Sequence, residues 1–146
     1  MTNTSLALVV KKTLAASPER VFNAWTHKEA LKKWWGPKGV TCHEADIDLR
    51  VGGKYQIGNT LPDGNVVWIR GQFVAIETNK KLVYTWGTDA ENSDLERVTV
   101  KFKPMGETTE VTVIHEKIAT QALLEQHTQG WEGCLAGLAG YEFESA

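Results

Sequence analysis

The chain has four histidines, and two of them fall where an imidazole would meet apolar surroundings. His127 lies on the apolar arc of the last long segment, and His115 alternates in phase with Val111 and Val113. An imidazole so placed can fix a ligand carbonyl or hydroxyl, or move a proton as a general acid or base. One hydrogen bond inside a core would satisfy either ring equally well. The acids Glu44, Asp46 and Asp48 alternate along one stretch and suggest a metal site with Cys42 or His43. Strict alternation puts Cys42 with the carboxylates and His43 with the apolar set, which removes the best nitrogen ligand. The expectation is a solvated strand face with no metal and no cofactor, on which Asp48 and Arg50 pair across the sheet for roughly 0.2–1 kcal/mol.

No GxSxG, HExxH, histidine pair at ligand spacing or phosphate-cradling glycine loop occurs in the sequence, so no linear catalytic motif assigns a catalytic residue. Cys42 and Cys134 stand far apart and outside any CxxC spacing, as reduced thiols packed among apolar groups would. Six tryptophans exceed what a core of this size needs, and indole serves a ligand wall as well as a core.

The element that must position His127 is the segment Thr120 to Glu144. At about 100° per residue, Leu123, Leu124, His127, Trp131, Cys134, Leu135, Leu138 and Tyr141 share one arc, opposite Glu125, Gln129, Glu132 and Ala136. Gly130, Gly133, Gly137 and Gly140 form a second arc beside it, although each costs roughly 0.8–1 kcal/mol against alanine in a helix interior. Either other backbone clasps this helix closely, with the sheet as the expected partner, or the helix walls a space kept open by missing side chains.

The preceding chain reads β-α-α followed by strands. Leu6 to Ala15 is a first strand. Ser17 as N-cap and Pro18 at the first helical position open a helix to Thr26, and Lys28 to Trp35 forms a second, stopped by Gly36-Pro37. Strands follow over Val40–Arg50, Lys54–Gly58, Val66–Ile76, Leu82–Trp86, Glu96–Phe102 and Thr108–His115, with turns at Gly52-Gly53, Leu61–Gly64 and Pro104–Glu107, and a polar loop over Asp89–Asp94. In the third of these, Val67, Ile69, Gly71, Phe73 and Ala75 share a face and Trp68 takes the other. Short turns imply antiparallel pairing, and the amphipathic helix must bury its stripe on the resulting sheet. The class is α+β.

A chain of 146 residues is read as one domain, 1–146. A net charge of -2 gives no reason to expect a nucleic-acid partner. Leu6–Val10 is too short for a membrane span and no basic segment precedes it, so the expectation is no membrane insertion, no signal peptide and a cytoplasmic address.

Several segments together resemble the START-like, helix-grip superfamily (SRPBCC), and within it the homology family named for the activator of the ninety-kilodalton heat-shock protein ATPase (AHSA). They are ASPERVFNAWT (Ala16–Thr26), LKKWWGP from Leu31 to Pro37, DLRVGG (Asp48–Gly53) with Tyr55, PDG (Pro62–Gly64), LVYTW (Leu82–Trp86), VTVKF (Val98–Phe102), and HTQGW (His127–Trp131) with Leu135 and Leu138. The resemblance runs from about Leu6 to Phe143. It implies a curved antiparallel sheet of about seven strands wrapped around the C-terminal helix, two short helices after strand one, and a cavity between sheet and helix that in the superfamily holds lipids, sterols or polyketides.

The resulting expectation is a protein that holds a small apolar or aromatic molecule. Trp35, Tyr55, Phe73, Tyr84, Trp86, His115, His127, Trp131 and Leu135 are the candidate contacts, although packing accounts for the aromatics and leucines as readily. One alternative is an enzyme of the polyketide cyclase or dehydratase type using His127 or His115. The other is a chaperone regulator, which the resemblance makes less expected because the chaperone-activating members carry a further domain ahead of this one. The oligomeric state, a homodimer included, stays open.

Overall fold

The computed structural model describes residues 6–36, 40–88 and 96–141. Pro37, the Asp89–Asp94 loop and the helical reading beyond Tyr141 lie outside them. The elements are β1 (Leu6–Leu14), α1 (Pro18–Thr26), α2 (Lys28–Trp34), β2 (Thr41–Ile47), β3 (Lys54–Thr60), β4 (Val66–Glu77), β5 (Lys81–Thr88), β6 (Glu96–Met105), β7 (Thr108–Ile118) and α3 (Gln121–Ala139). The strands form one antiparallel sheet in the order β1-β7-β6-β5-β4-β3-β2, curved around α3 in an α+β helix-grip arrangement. No helix among the described residues is long and apolar enough to cross a membrane.

Local chemistry sets the helix starts. Ser17 Oγ accepts from Arg20 N–H at 3.3 Å ahead of Pro18, and Thr120 Oγ1 accepts from Leu123 N–H at 3.1 Å. Each satisfies a backbone donor that the first helical turn leaves without a partner. The hinge between α1 and α2 is His27, in extended conformation, which caps both helices. Trp34 Nε1 then ties the pair together by donating to the Ala24 carbonyl at 2.9 Å.

Among the described residues three strand pairs shift register, β1–β7 near Leu6, β2–β3 and β4–β5, and the last two break the expected phase. In β2 the register shifts between Cys42 and Glu44, so Cys42 is buried and His43 exposed, the reverse of strict alternation. His43 meets Thr41 Oγ1 on the outer face. In β4 a shift between Phe73 and Ala75 carries Ile76, instead of Ala75, into contact with Leu82 across the strand pair. Beyond Ile47 the chain leaves the sheet; Leu49 is exposed, and Asp48 and Arg50 pair with each other at 2.8 Å rather than across strands.

The glycine arc of α3 has two explanations in one helix. A Cβ on Gly137 would stand 2.5 Å from the Trp34 carbonyl oxygen, so the close partner is α2 and not the sheet. A Cβ on Gly130 would meet nothing within 4 Å. The helix is clasped toward its C-terminus and faces open space in its middle.

Candidate functional site

α3 packs along β1, β7 and α2, at one side of the sheet. Over β3, β4 and β5 it stands clear, and a cavity of about 500 Å³ opens there. Asn59, Val67, Ile69 and Trp86 form its sheet side, while Leu123, His127, Gly130 and Trp131 form its helix side. Trp35 also lines it and anchors its indole N–H on Asn59 Oδ1 at 2.9 Å. The walls are mainly aliphatic and aromatic with a few polar groups, the composition of a small-molecule site, and the volume lies within the usual range of roughly 300–1,000 Å³.

Five of the six tryptophans are continuous with this wall. Trp131 stacks on Trp25 at 6.0 Å and meets Trp35 and Trp86 at 5.5 and 5.4 Å. Trp68 is apart from them, over the outer face, with the Arg70 guanidinium 5.5 Å from its ring.

Behind the wall lies a polar cluster that the strand register assembles. Glu96 pairs with Trp86 across β5 and β6, and His115 pairs with Val98 across β6 and β7, which brings acid and imidazole together on the inner face. His115 Nε2 lies 2.6 Å from Glu96 Oε1. From α3, His127 Nε2 reaches the same oxygen at 3.0 Å, off the line of a hydrogen bond, and its ring stacks on His115 at 4.6 Å and 15°. One turn on, Trp131 Nε1 donates to His115 Nδ1 at 2.9 Å.

That last contact fixes the His115 tautomer. Nδ1 accepts, so the proton sits on Nε2 and is donated to Glu96. Burial pushes His115 below the ordinary imidazole value, although its contact with Glu96 works the other way. For Glu96, burial alone would raise the carboxyl; the contacts and charge of His115 and His127 outweigh it and hold the group down to about 2. A buried carboxylate is thereby kept ionised beside two imidazoles.

The ligating atoms of Glu96, His115 and His127 lie within 4.8 Å of one another, the composition of a cation site. The surrounding polarity opposes that use. A neutral His115 binding metal through Nε2 must carry its proton on Nδ1 and donate it outward, and the Trp131 N–H points at that atom. The donor set fits a proton-holding cluster.

Of the residues expected from sequence, Trp35, Trp86, His127 and Trp131 line the large cavity. His115 is fully buried behind it. Tyr55, Phe73 and Tyr84 form a separate aromatic cluster with ring separations of 5.1–5.9 Å. The space there is about 20 Å³, room for about one water. Tyr55 donates to the Thr85 carbonyl at 2.6 Å, and burial raises the phenols of both tyrosines. Leu135 is core. Sequence reasoning missed Glu96 and Asn59 as wall or cluster residues, whereas Gly130 belongs to the glycine arc for which a space kept open was one of the two readings. Glu96 did leave a signal, since it is the one acid in phase with Val98, Val100 and Phe102 along β6.

The family described as Activator of Hsp90 ATPase homolog 1-like protein matches residues 15–142. Among solved structures the chain resembles a protein from Chromobacterium violaceum, 26% identical, with a TM-score of 0.83 over 91% of this chain and 94% of that one. A protein from Nitrosomonas europaea is 25% identical, with a TM-score of 0.81 over 92% of each chain. The AHSA1 protein from Silicibacter pomeroyi is 23% identical, with a TM-score of 0.79 over 92% of this chain and 95% of that one, a likeness of fold alone. No curated protein matches the sequence.

Proposed function

The chain belongs to the Activator of Hsp90 ATPase homolog 1-like family, and from that premise we propose that it binds a small apolar or aromatic molecule between α3 and strands β3 to β5. The observation that carries this reading is the cavity of about 500 Å³. Side chains fill the neighbouring interior almost completely, and this space stays open because α3 leans toward β1 and presents Gly130 to it.

The tryptophan walls would supply most of the affinity. A ligand that buries about 200 Å² of apolar surface gains roughly 5 kcal/mol before the costs of association. Orientation would come from His127 on the helix and Asn59 on the sheet. Titration with anilinonaphthalene sulfonate, read by energy transfer from tryptophan, tests the proposal. Saturable binding is expected, and Gly130→Leu, which places a side chain in the open space, should weaken it at least about tenfold, or about 1.4 kcal/mol. Absence of saturable binding, or equal binding by the variant, would count against the cavity.

A further inference from the structure

We propose that His127 is a general base at the wall of this cavity, positioned by Glu96, and that the occupant carries a weakly acidic C–H beside a carbonyl or on a heteroaromatic ring. The inference rests on the binding reading and adds a reaction to it.

Glu96 is 4% exposed, and its Oε1 stands 3.0 Å from His127 Nε2. His127 Nε2 stands off the line of a hydrogen bond to that oxygen, but the charge of an ionised carboxylate 3.0 Å away favours a proton on this nitrogen over a bare lone pair. The neutral ring then has its lone pair on Nδ1, the nitrogen left for a ligand, and the residue lines the cavity. When Nδ1 takes a proton, the positive charge forms beside Glu96 instead of in a bare apolar wall, as in the acid–imidazole pairs that activate nucleophiles. His115 cannot take this role. Its Nε2 faces Glu96, its Nδ1 accepts from Trp131, and it is fully buried. Trp131 and His115 act as positioning residues that keep Glu96 oriented and ionised.

The wall beside the base is apolar. The indole N–H of Trp86 is buried with no acceptor among the described residues, and its ring lies 6.3 Å from that of His127. That nitrogen has no surface on the cavity, so the indole offers an occupant its apolar ring, and the base stands in an apolar space. In the balanced step, His127 Nδ1 removes a proton from carbon, the C–H electron pair forms the C=C of an enolate, and the carbonyl π pair moves to its oxygen. Where the occupant also carries a C=C next to that carbon, the product is a dienolate, and returning the proton from Nδ1 to its far carbon completes an isomerisation with no co-reactant.

The test uses 5-nitrobenzisoxazole with the full chain. Removal of its ring C–H proton breaks the N–O bond and gives a nitrile and a coloured nitrophenolate, so turnover is read directly. Saturable turnover is expected, with kcat lowered by about 100-fold or more in His127→Gln and KM changed by less than about threefold, because the apolar walls remain. Glu96→Gln should also lower kcat. Wild-type turnover no faster than that of His127→Gln, at saturating probe, would overturn the assignment. If either variant fails to fold, nitrogen-15 spectra of wild-type histidines decide the matter: a neutral His127 protonated on Nε2 is expected, and one protonated on Nδ1 refutes the base. Saturation without turnover overturns the base alone. Failure of both this probe and anilinonaphthalene sulfonate to saturate overturns the binding reading, and the base with it.

Discussion

Gly130→Ala and Gly137→Ala should move stability in opposite directions, although the two glycines lie two turns apart on one helix and carry the same intrinsic penalty. Each substitution recovers roughly 0.8–1 kcal/mol of helix propensity. At Gly130 the new methyl meets nothing within 4 Å, so most of that gain should appear as net stabilisation of about 0.5–1 kcal/mol. At Gly137 it would stand 2.5 Å from the Trp34 carbonyl oxygen, a separation that real Cβ contacts do not reach. Retreat of α2 is resisted because Trp34 and Leu31 are core and the Trp34 indole is tied to Ala24. Forcing a methyl into such a contact costs about 1–3 kcal/mol or more, which exceeds the propensity gain. The variants should therefore differ by about 2 kcal/mol, or on the order of 4–8 °C in Tm for a chain of this length. Urea and thermal unfolding followed by circular dichroism would read the difference. A Gly137→Ala variant as stable as Gly130→Ala would refute the assignment of one glycine to close packing and the other to open space.

Acid should unfold the protein in two stages. His115 is held low by burial, so stability falls as pH drops below its unfolded value of about 6.5, where the unfolded chain binds the proton first. Glu96 contributes fully above its unfolded value of 4.5 and loses that contribution as pH falls toward about 2, a term of about 3 kcal/mol. Urea midpoints across this range should lose the lower stage in Glu96→Gln, and an unchanged lower stage would show that the carboxylate is not held down. Thr109→Val removes the buried hydroxyl that donates to the Ala16 carbonyl at 2.7 Å; denaturant unfolding should show a loss of about 1 kcal/mol or more. Trp131→Phe leaves His115 Nδ1 without its donor; it should cost about 1–3 kcal/mol and release His115 from its single tautomer in nitrogen-15 spectra.

Elements whose signals are local were legible. Ser17-Pro18 gave α1 its observed bounds, and α2 ends at Trp34, one residue short of the expected Trp35. Phase was legible only until a bulge intervened: at Cys42 and at Phe73 one extra residue turned the following side chains over, and nothing in the strand composition marks where that happens. The polar cluster was half legible. His115 and His127 were drawn out by apolar phase, and Glu96 carries the same mark on β6. Their meeting depends on the register of two strands, β6 and β7, and on how α3 docks against them, which composition does not set. Which aromatics line the cavity was not legible, because that depends on the side of the sheet to which α3 leans. The Gly137 contact with α2 fixes part of that choice, and it separates Trp35 and Trp86 at the wall from Tyr55, Phe73 and Tyr84 in the packed cluster.

The central claim is that the space between α3 and β3 to β5 takes up an apolar molecule. Native mass spectrometry of the full chain with anilinonaphthalene sulfonate tests it most directly. A one-to-one adduct in the wild type that is lost in Gly130→Leu is predicted. Bare protein alone, or the same adduct in both proteins, would contradict the account.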